Sequence, residues 1–378
     1  MIKPKALVFS GIPVHETGGA FETDSRWAMD INMQAEYHSV TLLCPVEEFR
    51  APDSAPLRRA INVVRLGTEN ADELIRNVDF VQLPGNNGWR PSRVPRTLQR
   101  LAIKQDKPAF VGISSDRAKT AWINRRKSVL GAAKAMVRWL DVRTAQRFLV
   151  RKSTGVFVVG AGIRHLARPN GNVHVGIASW IDAKQIVERG SQAGGPIRIC
   201  CASRLEPMKG VRVGVHAIAK LANSGHNVRF DIVGEGPELG DLTELVEKEG
   251  VSEITRFLGQ LAYPDEFFSY LQTVDIVLLT NLNDEQPRLI FDAISQGCLL
   301  LCPNSAAYSE LGLDKRLLYG RGQSDIAAHA LERLIMMDPK QRQELRTSLG
   351  VLASEFTLES MHRRRAEWMK ASMPRCPR

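Results

Sequence analysis

The 378-residue chain has no apolar run of the roughly 18 residues that a membrane-spanning helix needs, so nothing in it reads as a transmembrane segment. A cleaved leader is not expected either. Lys3, Lys5 and the run Ala6-Leu7-Val8-Phe9 imitate one, but the run is short and breaks at Gly11 and Pro13, as a first β-strand would. The six cysteines (Cys44, Cys200, Cys201, Cys298, Cys302 and Cys376) show no metal-ligand spacing, and most lie in or beside strand-like runs. They read as small core residues in a reducing cytosol. No Asp-x-Asp pair is present, and nothing else in the sequence asks for a metal ion or another cofactor. Gly160-Ala161-Gly162 is only a fragment of a dinucleotide signature.

The length suffices for two domains with full cores. The net charge of +10 is unevenly spread. Between Arg90 and Lys152 there are 17 Lys and Arg against three Asp, or +14, which leaves −4 for the rest. Trp122 to Lys152 reads as an amphipathic helix with apolar Trp122, Ile123, Val129, Leu130, Met136, Val137, Trp139 and Leu140. Trp and Leu set against Arg and Lys fit a helix lying on an anionic membrane surface, with residues 117–152 as the contact. A solvated helix face is the plainer alternative. No nucleic-acid recognition module accompanies the block, so nucleic acid is not an expected partner.

Strand-like and helix-like runs alternate along both halves. In the first, strands are expected at 5–9, 39–44, 61–66, 80–83, 108–113, 154–160 and 172–177, with helices between them. Gly11, Gly18 and Gly19 read as one strand-to-helix turn where the backbone could approach a ligand, or as an ordinary βα turn. Residues 191–196 look like a linker, after which the alternation restarts cleanly. Strands at 197–202, 228–233, 255–258, 275–279 and 298–302 alternate with helices, the pattern of a parallel, doubly wound sheet.

Residues 284–292 organise this second half. Pro287 suits the first turn of a helix, and Leu289, Ile290, Ala293 and Ile294 form its apolar stripe up to Gly297. Asp284 precedes the helix, while Asp292 lies inside it on the face of Arg288 and Ser295. A helix N-terminus flanked by two acids could hold a phosphate and sugar hydroxyls together. An exposed Arg288–Asp292 pair in any α/β protein would give the same string. Two other loops are expected at the same sheet edge: 203–210, with Arg204 and Lys209, and 234–237, a Gly-Glu-Gly-Pro turn. Arg204 and Lys209 could neutralise a diphosphate.

These three loops resemble the retaining glycosyltransferases of family 4, the glycosyl transferases group 1. The family pattern has an Arg-Leu…Lys-Gly loop, a Val-Gly-x-Gly-Pro loop and two glutamates separated by seven residues. Here they read Arg204-Leu205…Lys209-Gly210, Val233-Gly234-Glu235-Gly236-Pro237, and Asp284 with Asp292, the register fixed by Pro287-Arg288. The likeness covers nearly the whole C-terminal half, to about Phe356, and the N-terminal half in outline. It implies an α/β fold of two Rossmann-like, doubly wound domains facing across a cleft (GT-B). The expected division is an acceptor-side domain over 1–190, a nucleotide-sugar domain over 191–355 and a returning helix over 356–378.

By resemblance, Arg204 and Lys209 hold the donor diphosphate, Asp292 the ribose hydroxyls, and Asp284 the transferred sugar. Gly234 and Glu235, with the backbone at Leu289 and Ile290, complete the donor side, and Gly11, Gly18 and Gly19 face it. Relatives carry a histidine on the acceptor side where this chain reads Ser114-Ser115-Asp116; His15, Ser115 and Asp116 are the candidates there. Both family glutamates are aspartates here, and the usual glycine after the first is Glu285. The implied activity is transfer of a hexose from a nucleoside diphosphate sugar to a lipid-linked or glycan acceptor, in polysaccharide or glycolipid synthesis at the cytoplasmic face of a membrane. A non-catalytic binding or scaffold subunit and a nucleotide-sugar epimerase share the same implied fold.

Overall fold

The structure, a computed structural model, describes residues 3–48, 53–68, 70–125, 128–190 and 194–374. Residues 191–193 of the expected linker, and Cys376, lie outside the described residues. The chain folds as two units. One holds the residues up to Ala121, Leu130–Trp180 and the chain from Leu358 on; the other holds Trp122–Val129 and Ile181–Thr357.

The first unit opens with β1 (Lys5–Phe9), a hairpin of β2 (Val14–Thr17) and β3 (Ala20–Asp24), and α1 (Ser25–Tyr37). The Asp24 side chain caps α1 by accepting from the Trp27 N–H at 3.1 Å. Next come β4 (Ser39–Cys44), the short β5 (Val46–Glu47) and β6 (Ser54–Pro56), β7 (Asn62–Arg65), α2 (Ala71–Arg76), β8 (Phe80–Pro84), α3 (Arg93–Lys104) and β9 (Ala109–Ile113). Two helices, α4 (Arg117–Arg125) and α5 (Val129–Arg151), lead to β10 (Gly155–Val159) and β11 (Val173–Gly176).

Seven of these strands form one sheet in the order β11-β10-β9-β8-β1-β4-β7, with every pairing parallel. Successive side chains of a strand point to opposite faces, so a sheet covered on both sides needs unbroken apolar strands. Ala6, Val8, Val40, Leu42 and Phe80 pack on one face with Ile31 of α1; Leu7, Leu43, Val81 and Leu83 pack on the other with Leu98 of α3 and Leu149 of α5.

Two expectations for this unit need correction. Gly18 and Gly19 do not form a strand-to-helix turn with Gly11. They are the tip of the β2–β3 hairpin, at φ +59° and +79°, as a two-residue turn between twisted strands demands. The hairpin, inserted between β1 and α1, belongs to a separate four-stranded sheet, β5-β2-β3-β6, whose outer strands follow β4. Nor is 122–152 one amphipathic helix. α4 and α5 are distinct, and the inward face of α5 is Ala135, Val142, Ala145, Gln146, Leu149 and Val150. Several of the large apolar residues of the expected helix are exposed, among them Leu130 at 67% and Val137 at 69%.

The second unit runs β12 (Ile197–Ala202), α6 (Val211–Asn223), β13 (Val228–Val233), α7 (Leu239–Lys248), β14 (Thr255–Gly259), α8 (Asp265–Leu271), β15 (Ile276–Leu278), α9 (Leu289–Ser295), β16 (Leu299–Pro303), α10 (Ala306–Ser309), β17 (Leu318–Tyr319), α11 (Ser324–Met336) and α12 (Pro339–Glu355). Its sheet is parallel in the order β14-β13-β12-β15-β16-β17. In chain order that is 3-2-1-4-5-6, so the strand order reverses between β12 and β15. The last helix, α13 (Leu358–Ser372), packs in the first unit: His362 Nε2 lies 3.1 Å from Asp30 Oδ1, and Trp368 Nε1 donates to Asn172 Oδ1 at 2.9 Å.

Candidate donor site at the switch point

The reversal of strand order sets the loops after β13, β12 and β15 side by side at the carboxyl edge of the second sheet, where doubly wound folds bind ligands. They are tied to one another through their backbones. The Leu205 N–H donates to the Glu235 carbonyl at 2.8 Å, and Glu238 N–H returns a bond to Leu205 at 3.0 Å. On the other side, Leu282 N–H donates to Met208 at 2.9 Å and Thr280 Oγ1 to the Lys209 carbonyl at 2.7 Å.

This lacing explains the glycines. At Gly234, φ is +122° and a Cβ would collide with the Ser203 carbonyl; at Gly210, φ is +64° and a Cβ would meet the Thr280 carbonyl at 2.5 Å. Loop-to-loop packing demands these glycines.

Arg204 stands at the mouth with its side chain 73% exposed, and Nη1 lies 3.0 Å from Glu206 Oε1. Lys209 sits deeper. Burial pulls its ammonium below its ordinary proton affinity; Glu285 opposes that, Arg204 adds to it, and Glu206 opposes it again. Two cations and two carboxylates therefore meet at the end of β12.

The two aspartates sit in different surroundings. Asp284 is ion-paired with Arg321, which follows β17 between Gly320 and Gly322. Asp292 is only 1% exposed and accepts from Arg288 Nε at 3.1 Å and from Tyr263 Oη at 3.3 Å. The Arg288 guanidinium lies 4.2 Å from the centre of the Tyr263 ring, a cation–π contact. Burial pushes the Asp292 carboxyl up to about 6, against the pull of Arg288 and Tyr263. The exposed Arg288–Asp292 pair of an ordinary helix is thus excluded. Pro287 also falls outside the helix, since α9 begins at Leu289 with Arg288 as its cap.

The structure brings Arg204, Lys209, Gly234, Glu235, Asp284, Leu289, Ile290 and Asp292 to one edge; the Ile290 side chain itself is fully buried. Sequence reasoning missed Arg321 and Tyr263, which arrive from β17 and from the loop after β14. Only the glycines flanking Arg321 hinted at a special turn.

The acceptor-side candidates belong to the first unit. His15 lies on β2, buried, in register with Glu22 across the hairpin. Ser115 and Asp116 follow β9. The Asp116 side chain is 2% exposed, caps α4 by accepting from Lys119 N–H at 2.9 Å, and pairs with Arg143 Nη2 at 2.6 Å. His165, which the sequence reading did not select, follows β10 and brings Nε2 to 3.9 Å from the same carboxylate. Asn86 clasps the loop after β8 to Ser114 with two hydrogen bonds, of 2.7 and 3.0 Å. Among the described residues, no group of three or more His, Cys, Asp or Glu could hold a metal ion, and no helix is long and apolar enough to cross a membrane.

Residues 182–348 match the family described as Glycosyl transferases group 1. The chain is 30% identical over 172 residues to a 2-deoxystreptamine glucosyltransferase of Streptomyces kanamyceticus, a match covering 44% of this chain and 43% of that protein. It is 23% identical over 163 residues to an α-monoglucosyldiacylglycerol synthase of Streptococcus pneumoniae, covering 42% and 36%. The chain thus spans less than half the length of each of these two relatives. Among solved structures, Anabaena Alr3699/HepE in complex with UDP matches with a TM-score of 0.68 at 13% identity, over 97% of this chain and all of that one. The sucrose-phosphate synthase (tll1590) of Thermosynechococcus elongatus matches at 0.69 with 12% identity, over 98% and 99%. The chain has the GT-B fold of two Rossmann-like units, and its residues 182–348 are similar to the glycosyl transferases group 1.

Proposed function

We propose that the protein is a glycosyltransferase that moves a hexose, with retention, from a nucleoside diphosphate sugar to a lipid-linked or glycan acceptor. The observation that carries the reading is the convergence at the switch point of Arg204, Lys209, Asp284 and Asp292 on loops whose backbones brace one another. Uridine diphosphate is the first base to test, because the matching Anabaena structure was solved with UDP.

Arg204 and Lys209 supply positive charge where the departing diphosphate gains negative charge, and fixed cations need no reorganisation as that charge develops. Asp292 accepts the ribose hydroxyls in place of Tyr263 and Arg288, which frees the Arg288 guanidinium to turn toward phosphate. Asp284, steadied by Arg321, contacts the transferred sugar. Acceleration comes from positioning and from stabilising the leaving group. The basic segment 117–152, with its exposed apolar residues, holds the enzyme on an anionic membrane surface where a lipid-linked acceptor is presented.

A second reading has one observation in its favour. Both acids are shorter than the family glutamates and already have partners, as in a relative that keeps the fold as a binding or scaffold subunit. Thermal unfolding against a panel of nucleoside diphosphates and their sugars is the test. A ligand at a hundredfold excess over its Kd stabilises the native state by about 2.7 kcal/mol. A shift with one base, lost in Asp292→Ala and accompanied by turnover, supports the transferase. Binding without turnover selects the scaffold reading, and no shift with any nucleotide overturns the donor site.

A further inference from the structure

The amino edge of the second sheet, at the opposite ends of the strands from the donor loops, carries a cationic cluster that the proposed transfer does not use. Arg189, ahead of β12, and Arg346 of α12 meet at one carboxylate, Asp275, and Arg342, one turn earlier on α12, adds its charge beside Arg346. Arg189 Nη2 lies 3.2 Å and Arg346 Nη2 3.7 Å from the same oxygen, Oδ1. The other oxygen, Oδ2, accepts from the Arg198 backbone N–H at 3.0 Å. Three guanidiniums against one carboxylate leave a net charge of +2.

The side chains of Arg189 and Arg346 are nearly buried, Arg342 is half-buried, and the hydrogen bonding of the cluster is incomplete. The Arg189 and Arg346 side chains are 9% and 7% exposed. The Nε atoms of Arg189 and of Arg342 are both buried without an acceptor. A buried guanidinium N–H without a partner is costly, and like charges at close range add to that cost. Burial and then Arg189 lower the proton affinity of Arg346, and Asp275 offsets this only in part. Beside the cluster lies a cavity of about 150 Å³ lined by Gly194, Gly195, Pro196, Asp275, Arg342 and Arg346.

We propose that this cavity binds phosphate, as the free ion or as the phosphate of a phosphomonoester. A tetrahedral oxyanion offers several acceptors to the guanidiniums and cancels their excess charge. Arginine matches it through paired N–H groups. The site is separate from the donor edge in sequence and in place, and it does not depend on the transferase reading.

The experiment is thermal unfolding of the full chain in rising inorganic phosphate against chloride at constant ionic strength, repeated with glycerol phosphate. The expected result is a saturable rise in Tm that Arg204→Ala leaves in place. Arg342→Gln should weaken the apparent affinity by on the order of tenfold. Arg342→Lys, which keeps the charge but loses the fork, should fall between, and it serves as the test if the glutamine variant does not fold. A larger rise with glycerol phosphate supports a phosphomonoester, and equal rises support the free ion. No phosphate-specific rise overturns the proposal. So does a rise that survives both Arg342 variants or disappears in Arg204→Ala, which would put the anion at the donor edge.

Discussion

The two sheets share a strand order, yet the carboxyl edges of the two units are built differently. In the second unit the loops after β13, β12 and β15 are joined by backbone hydrogen bonds, and Arg204 stands exposed at the mouth, paired with its neighbour Glu206. In the first unit the corresponding edge is held by side chains: Asp116 pairs with Arg143, and Asn86 clasps Ser114. A hairpin after β1 and two short strands after β4 make up a further four-stranded sheet, and a helical pair follows β9. An edge whose loops are joined by backbone does not need its charged side chains to hold the loops together; they pair with one another, Arg204 with Glu206 and Arg288 with Asp292, in pairs that a ligand could take over. An edge braced by side chains consumes them.

That contrast is broken most directly by removing one arginine from each edge. Arg204→Ala should reduce kcat/KM by about a hundredfold or more, as loss of a charge-stabilising donor does. It should leave the urea midpoint nearly unchanged, because the side chain is mostly exposed. Arg143→Ala should do the reverse in kind. It strips the nearly buried Asp116 of its strongest partner and should cost about 2 kcal/mol of stability, less than a fully buried pair because Arg143 is itself partly exposed. If Arg143→Ala unfolds like the wild type and loses turnover instead, Asp116 and His165 belong to the chemistry and the contrast fails.

The same difference decided what could be read in advance. The second sheet was legible because its strands are unbroken apolar runs set off by glycine turns, and because motif residues sit at the ends of those runs. Ile197–Ala202 and Val228–Val233 fall where the hydrophobic pattern puts them. Asp284 and Asp292 were legible as a pair, but their partners were not. Arg321 and Tyr263 reach them from 37 and 29 residues away, contacts created by sheet order and carried by no local pattern. In the first unit, Gly18 and Gly19 misled because a hairpin and a βα turn both need positive φ, and the inserted sheet has strands too short to show a period. The packed face of α5 was not read in advance because several of its inward residues are small or polar: Ala135, Ala145 and Gln146 stand out less in the sequence than Leu130 or Trp139.

The surroundings of Asp292 sharpen the contrast through pH. Its carboxyl titrates near 3.8 unfolded and near 6 folded, so the folded chain holds the proton more tightly. Stability from this group is therefore present below pH 3.8, declines as pH rises through that window, and is constant above about 6. With Asp292 in the proposed donor contact, donor binding runs the other way, because hydroxyls donate to the ionised form. Donor affinity should fall below pH 6, by up to about tenfold per unit, or about 1.4 kcal/mol. The inflection should vanish in Asp292→Asn. An inflection that persists in that variant assigns the pH dependence to another group and removes Asp292 from the donor contact.

The smallest expected effect concerns α5. Leu130, Lys134, Val137 and Leu140 follow helical spacing along one exposed stripe, and Met136 flanks it, also exposed. The opposite stripe, Ala135, Val142, Gln146 and Leu149, is buried. Such a helix leaves large apolar side chains exposed among Lys and Arg, the arrangement on which the proposed contact with an anionic membrane surface rests. Val137→Asp should weaken retention on phosphatidylserine vesicles by about fivefold, near 1 kcal/mol, since it removes one buried aliphatic contact. Val351, 58% exposed on α12 of the second unit, supplies the matched control: Val351→Asp should leave retention unchanged. Raising salt should release the wild type only in part, because screening weakens the basic contribution and leaves apolar burial intact. Equal retention of wild type and Val137→Asp would mean that α5 does not insert and that any vesicle binding is electrostatic, spread over the block from Arg90 to Lys152.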